Sequence, residues 1–535
     1  MKKNNFLEGA AVATFAIFFT KVLGVLYVIP FYKMIGTQGG ALYGYAYTIY
    51  NLFLIISSAG IPLAISKLTS EFIALKKEKE KQYMYDIAQK AILLFSLLSF
   101  LICFIFAPQL ANLILGDISG GNTLNDVTIV LRCVAFSLLV VPSLSITRGY
   151  LQGHKYISAS SLSQLIEQLT RIIVILVGTY LTLKVFNLSI TTAVGVAISG
   201  ATIGALVTYF YLTKKRKYIK KVDENPPLSK NDKKEIKKRI LIYCIPFIII
   251  SVANHLYNTT DMILLMRGLN IVGFSGPDIE NISSIFTTWG SKLTSIVTAI
   301  STGLVISLIP SIVSSYAVND MKDVNKNFNK ALQILLYVVL PISIFASIFS
   351  KQIWNIFYSA NEFGPIIMKY AFIVAFVDGT FTVMCSTLNS LNKFKVIYLI
   401  VLVGLGFNAI LDVPLILLFN KIGIYPYYGA LTATLIGYTA SILITLKYLN
   451  KKYKFDYTPT FKLLPRLFGS LLILILLALT YEHFITNISS RLLSIVLVII
   501  FGIIALIIYY LLNKNTLNNL IQIKFLKKIK EKFKH

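Results

Sequence analysis

Apolar runs of about twenty residues alternate with short polar breaks along nearly the whole chain. At 1.5 Å of rise per residue, such a run crosses a hydrocarbon core about 30 Å thick as one helix. The pattern predicts an all-α integral membrane protein with about fourteen transmembrane helices. They fall near 9–32, 41–64, 86–107, 127–147, 157–183, 191–212, 240–265, 283–313, 329–350, 365–387, 395–419, 427–448, 462–482 and 492–512. The second and eighth run on into amphipathic ends, 67–81 and 314–326.

The polar breaks set orientation and organisation. Alternate loops are rich in cations, among them Lys76, Lys77, Lys79 and Lys81, the stretch 214–239, Lys451, Lys452 and Lys454, and the tail 524–534. The intervening loops are sparse, and 108–125 holds no Lys or Arg. By the positive-inside rule both termini are cytoplasmic, which requires an even number of spans. The long basic stretch 214–239 divides the first twelve spans into two sets of six. The expected domains are a six-helix lobe 1–213, a cytoplasmic linker 214–239, a second six-helix lobe 240–450, two further helices over 451–513 and a basic tail 514–535. The lobes echo each other in parallel: Gly60-Ile61-Pro62-Leu63-Ala64-Ile65-Ser66 against Leu308-Ile309-Pro310-Ser311-Ile312-Val313-Ser314, and Leu151-Gln152-Gly153-His154-Lys155 against Leu388-Asn389-Ser390-Leu391-Asn392-Lys393. Repeated six-span halves are a transporter plan, with the site between them near the midplane.

Composition agrees with the runs. The chain is 56% hydrophobic and 14% charged, against about a quarter charged in soluble domains. The net charge of +28 lies in loops and tails facing anionic lipid, so nucleic acid is not an expected partner. Cys103, Cys133, Cys244 and Cys385 sit in different apolar runs, and the four histidines are scattered, so neither a disulfide nor a metal site is expected. The basic start precedes an apolar run too long for a signal peptide, and it reads as a retained first helix. No phosphate-cradling loop, nucleophile elbow or HExxH motif occurs, and no enzymatic activity or cofactor is expected.

The candidate chemistry is the ionisable residues within spans: Lys21, Glu167, Arg171, Asp261, Lys292, Asp378 and Asp412. Lys21 lies about 18 Å from either end of its helix, too deep for easy snorkelling. A charge there costs about 2.5 kcal/mol or more without a partner or a wet cavity. Lys292 is the matching cation of the second half, nearer the outer face, where snorkelling competes with a binding role. Two such cations on an apolar scaffold suggest an anion handled inside the membrane. Glu167 and Arg171, four apart, share a helix face, and a structural ion pair is as good a reading as substrate contact. Asp261 is placed near the outer interface. Asp378 is a cation or proton site or the partner of a lysine, and Asp412 has no assigned partner. Pro62 and Pro310 are the hinge candidates among the span prolines. Tyr43, Tyr45, Tyr47 and Tyr50 read mainly as an aromatic belt, with sugar stacking as the alternative.

Several strings resemble a known family. Phe19-Thr20-Lys21-Val22-Leu23-Gly24 is similar to the first-helix motif of the MurJ-type lipid II flippases. Tyr27-Val28-Ile29-Pro30-Phe31, Gly39-Gly40-Ala41-Leu42, Arg148-Gly149-Tyr150-Leu151-Gln152-Gly153-His154 and Glu167-Gln168 with Arg171-Ile172 resemble their SpoVB/YtgP branch, within the multidrug/oligosaccharidyl-lipid/polysaccharide exporter superfamily. The resemblance implies two six-helix lobes around a central cavity in a bacterial cytoplasmic membrane. It implies a substrate with a lipid-linked glycan diphosphate, cavity cations at Lys21 and Lys292, a loop motif at Arg148, Gly149, Gln152 and Gly153, and a groove for the lipid tail between the two added helices. It also brings the cell-wall synthesis machinery among the candidate partners, beside anionic membrane lipids. The chain departs from the Gram-negative pattern in having Lys21 for an arginine and Leu54-Ile55 where that group has arginines.

The expected function is a lipid II flippase working by alternating access, with Lys21, Lys292, Glu167, Arg171 and Asp378 in the central cavity. The rival readings are a flippase for a capsule or spore-envelope glycan, a cation-coupled drug exporter and a non-transporting scaffold. An inside-negative potential favours an anion moving outward or a cation inward by about 2.3 kcal/mol per charge per 100 mV. Coupling to the potential or to a monovalent cation is therefore physically available.

Overall fold

The computed structural model describes residues 19–20, 23–58, 61–118, 121–219, 228–358, 360–484 and 490–520. These residues form helices and turns, with no strand among them. In chain order the helices are α1 Val28–Ser58, α2 Ile61–Ala74, α3 Glu78–Ile105, α4 Ala107–Leu115, α5 Leu124–Gly153, α6 Ile157–Ile173, α7 Ile190–Arg216, α8 Lys230–Val272 and α9 Gly276–Ser284. There follow α10 Gly290–Ala317, α11 Met321–Ile334, α12 Leu340–Ile348, α13 Ser350–Phe357, α14 Gly364–Ser390, α15 Phe394–Lys421, α16 Tyr427–Tyr453, α17 Leu464–Phe484 and α18 Arg491–Leu520. Two π-type turns extend α6 as far as Val185, and single ones join α9 to α10 and α11 to α12.

Ten described helices are long and apolar enough to span a membrane, from Glu78–Ile105 to Leu492–Leu517. Their ends outrun the apolar stretches because polar residues continue the helix, as Glu78 to Asp86 do on α3. Local chemistry sets several starts. Thr123 with Asp126, Ser229 with Asp232 and Ser275 with Asp278 each place a hydroxyl on the backbone N–H three residues on. The expected amphipathic continuations are interrupted. After α2 the chain turns through Lys76 (φ 56°), and after α10 through Asn319 (φ 57°), before a new helix begins. The first two predicted spans are also less separate than expected: α1 passes through Gly36, whose φ of 63° and ψ of −160° give the sharp bend for which glycine is suited.

The parallel repeat is visible in backbone hydrogen bonds. After α5, the N–H groups of His154, Lys155 and Tyr156 donate to the carbonyls of Tyr150, Gln152 and Leu151, with Lys155 at φ 65°. After α14, those of Leu391, Asn392 and Lys393 donate to Thr387, Asn389 and Leu388, with Asn392 at φ 56°. The two turns are the same, residue for residue.

Internal contacts divide the chain into two compact units, 1–292 with 405–434, and 293–404 with 435–535. In the first, α5 is the central helix, packed on α1, α2, α3 and α7. Gly149 and Gly153, four apart, let it approach α2: a side chain on Gly149 would meet the Pro62 carbonyl, and Ser70 donates to the Gly153 carbonyl at 3.1 Å. Small residues at this spacing are how membrane helices gain close packing without a hydrophobic driving force. In the second unit, Tyr337, Leu467, Leu471 and Tyr509 form a core between α17, α18 and the turn before α12. An apolar groove of about 220 Å³ lies beside it, lined by Pro341, Phe345, Phe349, Leu474, Phe501 and Tyr509.

Candidate functional site

The first unit encloses a polar cavity of about 290 Å³ in an otherwise apolar scaffold. Helix α1 contributes Tyr43, Tyr47, Thr48 and Asn51 to its wall. Helix α8 contributes His255, Asn258 and Asp261, and the start of α10 contributes Ser291 and Lys292. The Lys292 ammonium also lies 5.8 Å from the Tyr27 ring centroid, within cation–π reach. Lys292 therefore faces a pocket with polar walls and a ring quadrupole.

Tyr47 connects the cavity to an intramembrane ionic cluster. Arg171 Nη1 donates to the Tyr47 hydroxyl at 3.1 Å, and Arg171 Nη2 donates to Glu167 at 2.7 Å. Arg148 donates to the other Glu167 oxygen at 2.7 Å and to Ser163 at 2.8 Å. The expected Glu167–Arg171 pair is thus one side of a triad, and Arg148 from the loop motif is its third member. Gln152 of that motif donates to Ser160 at 3.0 Å, tying the end of α5 to α6.

A second cluster forms where α8, α15 and α16 converge. Gly268 and Gly429 allow the approach, both abutting Ile416. Asn408 donates to Asp261 at 2.7 Å and to Thr434 at 2.9 Å, and the Thr434 hydroxyl lies 3.1 and 3.2 Å from the two Asp261 oxygens. Asp412, one turn beyond Asn408, is 0% exposed. Neither of its carboxylate oxygens nor Asn408 Oδ1 has a hydrogen-bond partner among the described residues. Buried oxygens without donors are costly, and a hard cation would satisfy all three. The donor set is all oxygen with two carboxylates, so it fits a small hard cation and not a soft metal.

A tight seam between α1, α9 and α10 closes one side of the same unit. Thr288 donates to the Gly40 carbonyl at 2.8 Å, and the Trp289 ring fills the space a side chain on Gly40 would need. Asn122 donates through its side chain to Gln38 and through its backbone N–H to Glu280, at 3.1 and 2.5 Å. Glu280 is 1% exposed, and its other oxygen has no partner among the described residues. Burial, partly offset by Asn122, pushes its pKa from 4.5 up to about 7. The native state thus holds this proton more tightly than the unfolded chain. The resulting stability is full below about 4.5 and is lost as pH rises through 7, by about 3 kcal/mol. The thermal midpoint in detergent should fall between pH 5 and pH 8, and Glu280→Gln should flatten that fall. An unchanged slope in the variant would remove Glu280 as its source.

The expected site residues are distributed as follows. Lys292 lines the cavity. Glu167, Arg171 and Arg148 form the triad behind Tyr47. Asp378 is half-buried on α14 in the second unit. Pro62 is the second residue of α2 and packs against Gly149. Position 310 is inside α10, its side chain outside the described residues, and Lys21 lies outside them altogether. The aromatic-belt reading does not hold: Tyr43, Tyr45 and Tyr50 are buried within the protein, and Tyr43 stacks on Tyr47 with centroids 4.9 Å apart. A belt needs rings at the lipid surface, whereas these pack on one another. Asp261 and Asp412, left without a role by sequence, form one cluster. The sequence reading missed it; the signal that could have found it is the polar Asn408-x-x-x-Asp412 pair on one face of an apolar helix.

Comparison with known proteins agrees with this architecture. Bacillus subtilis (strain 168) "Lipid II flippase MurJ" is 29% identical over 461 residues, 84% of each chain. "Stage V sporulation protein B" of the same organism is 28% identical over 222 residues, 42% of this chain and 41% of the relative. Among solved structures, "Lipid II flippase MurJ, inward closed conformation" covers 96% of this chain and 100% of its own at a TM-score of 0.69 and 17% identity. An inward-facing multidrug resistance MATE family transporter of the MOP superfamily covers 81% and 94% at 0.64 and 12%. These two show the fold. A MatE family profile matches residues 287–413. The profile described as "Polysaccharide biosynthesis protein" matches residues 6–300, more than half of the 535. An all-helical membrane scaffold around a polar, cation-bearing cavity is thus joined to a family by its own sequence, and the chain belongs to the polysaccharide biosynthesis protein family.

Proposed function

We propose that this protein is a flippase that carries lipid II, the undecaprenyl-diphosphate-linked peptidoglycan precursor, from the cytoplasmic to the outer leaflet by alternating access. The observation that carries the reading is the polar cavity holding Lys292 within an apolar scaffold. The similarity to a lipid II flippase over most of both chains names the anion such a cation would meet. Lys21 supplies a second cation from the first helix, and the apolar groove beside α17 and α18 takes the lipid tail. In this reading there are fourteen spans with both termini cytoplasmic. The lobes 1–213 and 240–450 rock about Pro62 and Pro310, and the protein serves the cell-wall synthesis machinery. The cluster of Asp261, Asn408, Asp412 and Thr434 is the site of a coupling monovalent cation, which the inside-negative potential draws inward.

Rescue of a strain depleted of its lipid II flippase tests the function. Lys292→Met should reduce rescue about 10-fold or more, the scale of a lost charge-assisted contact, and Lys292→Arg should retain it. Undiminished rescue by a Lys21→Met/Lys292→Met double variant at equal membrane level would remove the diphosphate role. Failure of the parent chain, together with rescue of a capsule-flippase mutant, would reassign the substrate to another lipid-linked glycan.

A further inference from the structure

The hydroxyl of Tyr47 has an unusual hydrogen-bond polarity. Arg171 has donors only, so the 3.1 Å contact from its Nη1 occupies a lone pair on the Tyr47 oxygen. The phenolic proton must then point elsewhere, and Tyr47 donates no hydrogen bond among the described residues. The ring cannot swing away easily. It is stacked on Tyr43 at 4.9 Å and meets Tyr50 edge-on at 5.6 Å. Tyr47 and Lys292 line the same cavity. Behind the hydroxyl stand two arginines and one glutamate, a cluster with a net charge of one positive unit.

We propose that Tyr47 is a specificity-determining hydrogen-bond donor for the anionic group of the cargo, held in donor polarity by Arg171. The inference rests on the flippase reading of the cavity. A donor polarised by a guanidinium is strengthened toward phosphate oxygens, because hydrogen bonds to charged acceptors are about twice as strong as neutral ones. With one lone pair taken by Arg171 and a guanidinium charge beside it, the same oxygen is a poorer ligand for a cationic cargo than that of an ordinary tyrosine. Lys292 contributes a point charge and Tyr47 a directed proton, and together they read a lipid-linked diphosphate by charge and by geometry. Glu167 fixes the guanidinium through Nη2 and leaves Nη1 for Tyr47. Arg171 and Glu167 are thus positioning residues, and Tyr47 touches the ligand.

The test is binding of undecaprenyl diphosphate and of uncharged undecaprenol to the purified full-length protein. Tyr47→Phe keeps the ring and its stack and deletes only the hydroxyl. It should lower affinity for the diphosphate about 10-fold and leave undecaprenol unchanged. An equal loss for both lipids would mean that the ring merely shapes the wall and would overturn the donor role. A variant with the parent's preference for the diphosphate would overturn it as well. A parent protein with no preference between the two lipids would overturn the flippase reading itself, and the Tyr47 role with it. Thermal midpoints of parent and variant, measured alongside, separate loss of fold from loss of the donor.

Discussion

Asp412→Asn is expected to stabilise the protein in sodium-free buffer and to abolish the further stabilisation that sodium gives the parent. The expectation comes from the two carboxylates that α8 and α15 bring together. Asp261 has Asn408 and Thr434 as donors, whereas Asp412 is fully buried with both oxygens unpartnered among the described residues. A buried polar group left unsatisfied costs about 1–3 kcal/mol and a buried charge more, and Asp412 bears a cost of that kind whenever no cation is present. Asparagine removes the charge at constant shape. A cation at 100 times its dissociation constant adds about 2.7 kcal/mol of stability. The parent should therefore show a sodium-dependent rise in thermal midpoint, and the variant should show none. The variant should also fail to rescue a flippase-depleted strain. If the coupling ion is a proton, pH will replace sodium as the variable and the variant will lose that dependence instead. A parent protein indifferent to both ions would remove the cluster as a coupling site.

Glu167→Gln should produce the largest loss of stability of any single change considered. Glu167 accepts from Arg148 and from Arg171 at 2.7 Å each, in a cluster where each side chain is one-fifth exposed or less. Glutamine preserves the volume but leaves two guanidinium groups buried without a counter-charge. Breaking such a pair costs about 3–5 kcal/mol. The loss should be read as a lower thermal midpoint in detergent. Replacing both arginines with methionine in the Glu167→Gln background should restore much of it, because the cost is uncompensated charge and not lost packing. Parental stability in the single variant would show the triad to be energetically idle.

Much of this protein could be read along the chain. Apolar runs such as 127–147 and 395–419 became α5 and α15 with ends displaced by a few residues, because length and hydropathy alone decide what can reside in hydrocarbon. The echo of Leu151-Gln152-Gly153-His154-Lys155 in 388–393 became two identical turns, since local backbone geometry follows local sequence. The i,i+4 pairing of Glu167 with Arg171 was equally legible, being set by the helix period.

What the chain could not disclose lies between helices. Arg148 completes the triad from another helix, and the tyrosines expected at the lipid surface turn inward onto one another. Asp412 gained a neighbour in Asp261 only because Gly268 and Gly429 let three helices converge on Ile416. Hydropathy states that a segment is in the membrane but not which of its faces meets lipid, because lipid tails and protein interior are nearly equally apolar. The sequence by itself therefore determined which segments are apolar enough to span, their repeat and several of the buried charges, though not Arg148 or Glu280. Only the tertiary structure decided which charges meet, since that depends on the small-residue contacts that set how closely, and at what rotation, one helix approaches the next.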